Sequence, residues 1–243
     1  MEDEQQHEAY SDLVRGKVEA ASRDAALILQ RYQLARFAAK TCIDAGRELH
    51  LVGHFVGSDR VSGASPFGHG RDETVGVGLL LRIAGDLLNS ATDLFEKGSA
   101  YSASALTRQM VEVEYLAWAF ETRDSDAEKW LRSNREEREQ FFSPRKLREA
   151  ARGKFRGKDY GYHCEQGGHP VPTGRILLDP NPARDGLLMS DLLGHVGRIW
   201  DHLNRWAEQD LHGQSVTKRT PAMREKFMAW KRADPLVDLP PPP

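Results

Sequence analysis

The segment SASALTRQMVEVEYLAWAF, residues 102–120, constrains the fold more than any other part of the chain. Leu106, Met110, Val113, Ala117 and Phe120 recur at three- and four-residue steps and form one apolar stripe. Arg108, Glu112, Tyr115 and Ala119 stand one above another on the opposite face, flanked by Val111 and Trp118. A helix that is apolar over most of its circumference has to be surrounded, so other helices must pack on more than one side of it.

The rest of the chain supplies such helices. From Ser11 to about Val56 the positions Ile28, Tyr32, Ala35, Ala39, Cys42 and Gly46 form a helical stripe, with Gly46 marking a bend or a close contact. Gly57 to Gly70 is rich in Gly and Ser and reads as a linker or mobile flap. Asp72 is placed to cap a helix running to Lys97, closed by Gly98. The central helix then runs from Ser99, Ser102 or Ser104 to Thr122. Asp124 or Ser125 caps the next, which reaches Phe142 through a densely charged middle. Ser143-Pro144 opens a short basic helix through Arg152. Residues 153–182 read as irregular, 183–211 as a long helix, and Thr220-Pro221 opens a last helix to Arg232. Arg175-Ile-Leu-Leu178 is the best strand candidate, and one short strand makes no sheet.

The expected architecture is therefore an all-α bundle of about six helices with two irregular loops. A single helical domain covers 11–232, between an acidic leader at 1–10 and a Pro-rich disordered tail at 233–243. Composition narrows the classes. The net charge of −2 gives no global basic field for nucleic acid. Two cysteines are too few for a disulfide scaffold; Cys42 reads as a core filler and Cys164 lies in a polar loop. The N-terminus lacks the basic start and apolar core of a signal peptide, and the apolar run at 75–81 is too short to span a bilayer. A cytoplasmic protein with no membrane partner is expected.

The candidate site is Tyr160-Gly-Tyr-His-Cys-Glu-Gln-Gly-Gly-His-Pro170, a segment placed to present Tyr160, Tyr162, His163, Glu165 and His169. On the 183–211 helix, Leu188, Leu192, His195, Ile199, His202 and Trp206 share one stripe, so two histidines sit in an apolar face, with Asp191 one turn before the first. Packing that face under the 160–170 segment would join His163 and His169 to His195 and His202. Arg108 and Glu112 are in the less favourable order for an isolated helix pair, which favours contact with a neighbour or with the histidine segment. No residue is assigned as a metal ligand and no cofactor is expected. His195 and His202 are two turns apart, and His50-Leu-Val-Gly-His54 lacks the glutamate of the zinc-protease signature. The stretch Arg145 to Lys158 carries seven basic residues and could bring a polyanion to the histidines.

The run Arg108-Gln-Met-Val-Glu112 with Tyr115 and Trp118, the charged helix from Trp130 to Phe142, and Tyr160, Tyr162 and His169-Pro170 resemble, over residues 75–205, a bacterial group of helical proteins with no assigned activity. There is also a distant likeness to the HEPN helical ribonucleases of phage defence and toxin–antitoxin systems, which use an Arg and a His separated by four to six intervening residues. Arg47–His54, Arg156–His163 and Arg205–His212 have this spacing, and Arg156 is followed by Gly157 where that family usually has a polar residue. The likeness implies His163 as general acid or base, with His169 beside it, and Arg156 as a phosphate-charge stabiliser. Three readings follow in order: a protein using its His-rich segment for binding, a metal-independent ribonuclease, and a metal-dependent hydrolase. An RNA or protein partner and a homodimer all stay open.

Overall fold

The computed structural model describes residues 2–55, 71–123, 125–155 and 157–237. Among them are eleven α-helices and no strand. Six helices are long: α1 (Glu2–Arg23), α2 (Ala25–Phe55), α3 (Asp72–Glu96), α4 (Ala100–Thr122), α9 (Pro182–Gln209) and α11 (Thr220–Ala233). Five are short: α5 (Asp126–Arg132), α6 (Arg135–Glu137), α7 (Pro144–Ala150), α8 (Gly157–His163) and α10 (Gln214–Thr217). The expected count of about six thus matches only the long helices. Of the short ones, α7 follows from its Ser143-Pro144 start; the others escape periodicity because none spans more than two turns. No helix among the described residues is long and apolar enough to cross a membrane.

Several boundaries differ from expectation for local reasons. Residues 2–10, read as a leader, are the first turns of α1. The single helix expected over 11–56 breaks at Asp24, whose Oδ1 accepts from the amides of Ala26 and Leu27 and so starts α2. Asp72 is no cap but the buried first residue of α3, paired with Arg132. The helix expected to reach Phe142 stops at Ser133. Asn134 then forms a capping box with Glu137, and a π-helical turn follows at 138–142. The irregular stretch 153–182 contains α8, a π-helical turn at 164–168 and a 3₁₀ turn at 172–177, so the strand candidate at Arg175 is helical. Asp234 and Leu236, which fall within the stretch expected as a tail, are buried. The Gly57–Gly70 loop and the Pro240–Pro243 end lie outside the described residues.

α2 and α3 form the closest pair, an antiparallel hairpin in which Gly46 faces Gly78 and Gly85 faces Ala39. A Cβ on Gly46 would stand 2.5 Å from the Gly78 carbonyl oxygen, so the backbones themselves are in contact. Gly46→Ala is therefore expected to destabilise by about 1–3 kcal/mol through overpacking, even though Ala is the better helix former by about 1 kcal/mol. A thermal melt in which Gly46→Ala matched or exceeded the parent would contradict this close approach.

α4 packs between α3 and α9, as its two-sided apolar surface requires, with Met110, Val113, Ala117 and Phe120 all buried. α4 and α9 run parallel: residue 114 meets 195 and residue 121 meets 202. The segment that follows α11 is fastened to this frame by a buried ion pair. Arg31 of α2 donates from Nε and Nη2 to the two Asp234 carboxylate oxygens at 2.7 and 2.8 Å. Ser190 and Trp230 donate to the same carboxylate, joining α9 and α11 to it. This frame holds α8 and the 164–168 turn against α4, and so sets what the histidines meet.

Candidate functional site

α9 carries His195 at the centre of its buried face, and α4 presents Glu114 to it from the parallel neighbouring helix. Glu114 Oε2 lies 2.6 Å from His195 Nδ1, and Arg198 Nε donates to Glu114 Oε1 at 2.8 Å. Burial alone would raise the Glu114 carboxyl, but the hydrogen bonds from His195 and Arg198 outweigh it and hold the pKa below the usual value. An ionised carboxylate can only accept, so His195 Nδ1 carries the proton and donates. Arg198 Nη2, 2.8 Å from the same nitrogen, therefore packs against it and makes no hydrogen bond there.

With Nδ1 committed, the lone pair of neutral His195 is on Nε2. It points at His163 Nε2, 3.3 Å away. His163 is the last residue of α8, and its ring meets the His195 ring at 71°. Asp191, one turn before His195 on α9, closes the triangle. Its Oδ2 is 3.6 Å from His163 Nε2 and its Oδ1 is 3.6 Å from His195 Nε2. The ligand atoms of the three residues all lie within 4.8 Å of one another. Asp191 Oδ2 is buried yet has no hydrogen-bond partner among the described residues, an arrangement that costs free energy unless something else fills the valence. Glu114, His163 and His195 are 4–6% exposed, whereas the Asp191 side chain is 40% exposed. The cluster is thus walled by protein on the histidine side and open to solvent on the Asp191 side.

One heptad further along both helices the arrangement recurs. Glu121 accepts from His202 and from Arg205, as Glu114 does from His195 and Arg198. Burial holds the His202 imidazole below its usual pKa, against the opposing pull of Glu121. His202 has no second histidine or aspartate grouped with it among the described residues, so it reads as a packing copy of the motif.

The remaining candidates are placed as follows. The guanidinium groups of Arg108 and Arg148 both lie over the Tyr160 ring, and its hydroxyl accepts from Arg108 at 2.7 Å and donates to Glu112 at 3.0 Å. Arg108 and Glu112 are themselves 2.9 Å apart, so the pair meets α8 through Tyr160. Tyr162 is half-exposed, and its ring edge is against His163. Burial and the nearby Asp191 charge raise its pKa. Glu165 is exposed and accepts from Thr173. His169 is exposed, outside the cluster, and contributes its backbone carbonyl to Tyr101. His169 and His202 therefore do not join His163 and His195. Arg156 lies outside the described residues, and so does any contact it makes with His163.

Glu114 and Glu121 are absent from the sequence-level candidates. Their signal was present: Glu114 and Glu121 are seven apart on α4, as are His195 and His202, and Arg198 and Arg205, on α9. A shared seven-residue step on two helices marks facing positions of a parallel pair. Comparison with protein-family models, curated proteins and solved structures found no match, so the chemistry of the site rests on its geometry.

Proposed function

We propose that the protein binds a divalent transition-metal ion at His163, Asp191 and His195 and uses its open coordination position for hydrolysis. The observation that carries this reading is the convergence of two imidazole Nε2 atoms and a carboxylate, with one histidine locked by a buried carboxylate on its other nitrogen. A tetrahedral zinc ion with Zn–N bonds of about 2.0–2.1 Å places two nitrogen ligands about 3.3–3.4 Å apart, and the two Nε2 atoms are 3.3 Å apart. Glu114 plays the part of the outer carboxylate that fixes the tautomer and orientation of a metal-bound imidazole.

Two nitrogens and one carboxylate oxygen suit zinc first, then iron(II) or manganese(II). Three protein ligands with one side open to solvent is the pattern of a catalytic site; a structural site is closed by four. An ion held there would lower the pKa of a bound water towards about 7. Hydrolysis then balances without a further reactant. The water oxygen bonds to a carbonyl carbon or a phosphorus, and the leaving group departs with its electron pair and takes the water proton.

The test is elemental analysis after stripping with a chelator and re-equilibration with zinc, manganese and iron(II), alongside ester, phosphoester and RNA cleavage assays. About one ion per chain is expected, with any cleavage abolished by chelator and restored by metal. Absence of stoichiometric metal would remove the reading. Chelator-resistant RNA cleavage lost in His163→Ala would replace it with the metal-independent ribonuclease.

A further inference from the structure

Asp191 forms part of the wall of a cleft of about 410 Å³ between α9 and the chain at the end of α11. Sites of roughly 300–1,000 Å³ hold small molecules, so the cleft fits a compact ligand better than a polymer strand. Its lining divides chemically. Leu187, Trp230 and Leu236 are apolar, while Asp191, Arg198 and Lys231 are charged.

The two cations have capacity to spare. Arg198 spends Nε on Glu114 and lays Nη2 against His195. Its Nη1 has no hydrogen-bond partner among the described residues and lies over Gly194, where an added Cβ would sit 3.4 Å from it. Gly194 also lines the cleft, so the missing side chain leaves that nitrogen uncovered towards it. Lys231 is exposed and makes no ion pair among the described residues. The other polar side chains of the lining point inwards: Ser190 and Trp230 both donate to the buried Asp234. Arg198 Nη1 and Lys231 Nζ are therefore the side-chain donors left for a ligand. A planar guanidinium and an ammonium lining the same cleft select an oxyanion, and the apolar lining selects a hydrocarbon body attached to it.

We infer that this cleft binds a small organic anion, its phosphate or carboxylate group on Arg198 and Lys231 and its apolar body against Leu187, Trp230 and Leu236. As the substrate class of the site this rests on the metal reading, because Asp191 is the group through which the cleft meets the histidines. The anion also suits the electrostatics: the positive charge of an ion, Arg198 and Lys231 exceeds the negative charge of Asp191 and Glu114.

Calorimetric titration of phenyl phosphate, benzoate and uncharged benzyl alcohol into zinc-equilibrated and metal-stripped protein tests this. At least one of the two anions is expected to bind about tenfold or more tighter than the alcohol, and comparison of the two identifies the oxyanion. Lys231→Gln should weaken that anion about tenfold, the size of one charge-assisted hydrogen bond. Gly194→Leu, whose Cβ would stand 3.4 Å from Arg198 Nη1 and which is a better helix former than Gly, should fill the cleft and abolish anion binding while leaving metal content unchanged. Zinc loading without any preference for the anions would overturn the cleft assignment and leave the metal reading standing. Equal binding by Gly194→Leu and parent would overturn it as well. Anion binding that survives metal stripping and is lost in Gly194→Leu supports the cleft even in a protein that loads no metal.

Discussion

Asp191→Asn is expected to lose stoichiometric metal loading while keeping its helical circular dichroism. The substitution keeps the shape of the side chain and removes one ligand charge at a position that is 40% exposed, so the fold has little reason to respond. His195→Ala removes a ligand outright, but it also takes away one of the two donors to the buried Glu114, leaving Arg198. It is therefore the more drastic and the less clean variant. Glu114→Gln keeps all three ligands and loses only the carboxylate behind His195. Its metal affinity should fall about 10–100-fold, less than on losing a ligand. Melting reads the same series. Free metal at about 100 times its dissociation constant stabilises by about 2.7 kcal/mol, roughly 5–10 °C in Tm for a domain of this size. That metal-dependent shift should be present in the parent, reduced in Glu114→Gln at fixed metal, and absent in Asp191→Asn and His195→Ala. Were the shift to persist unchanged in Asp191→Asn and His195→Ala, the ion would have to bind elsewhere.

Asp234→Ala is expected to cost about 3–5 kcal/mol, the range for breaking a buried pair by removing one partner. The Arg31 and Asp234 side chains are 2% and 0% exposed, so the orphaned guanidinium has no water to turn to. Ser190 and Trp230 lose their acceptor in the same step. A domain of this size loses about 2–4 °C in Tm per kcal/mol, so a drop of roughly 6–20 °C should be seen. Removing both charges together, in Arg31→Met/Asp234→Ala, should cost less than Asp234→Ala alone, because no buried charge is then left unpaired. A single variant within about 1 kcal/mol of the parent would show that the pair does not fasten the segment after α11.

The same carboxylate gives a pH dependence of definite sign. Burial would raise the Asp234 pKa, but Arg31, Ser190 and the Leu236 amide overcome this and lower it. A lowered folded value means the unfolded chain takes up the proton first. The stabilisation is therefore complete above the unfolded value of about 3.9 and is lost as pH falls through the lower folded value. Acid melts of the parent should show this loss below about pH 4, and Asp234→Asn should lack that component.

Much of this molecule is legible from local pattern. The central helix, its two-sided burial, the histidine-bearing face of α9 and the proline-opened helices α7 and α11 all follow from residues three and four apart. The short elements are less legible. Asp24, Asn134 and the π-helical turns redirect the chain through local hydrogen bonds that leave no periodic trace. The site divides in the same way. His163, Asp191 and His195 stand out as chemistry-bearing residues on their own segments, and the seven-residue steps of Glu114/Glu121 and His195/His202 are written in the chain.

The helical class, the apolar faces and the presence of these side chains on them are written locally, because each depends on neighbours within one or two turns. Only the tertiary structure decided which side chains meet. His163 reaches His195 across 32 residues, and Glu114 reaches it across 81. His169, six residues from His163 in the chain, is left outside. Contacts at such separation are set by how whole helix faces pack, here by α4 and α9 lying parallel and α8 being pressed against α4, and no local preference selects among the partners that packing makes available.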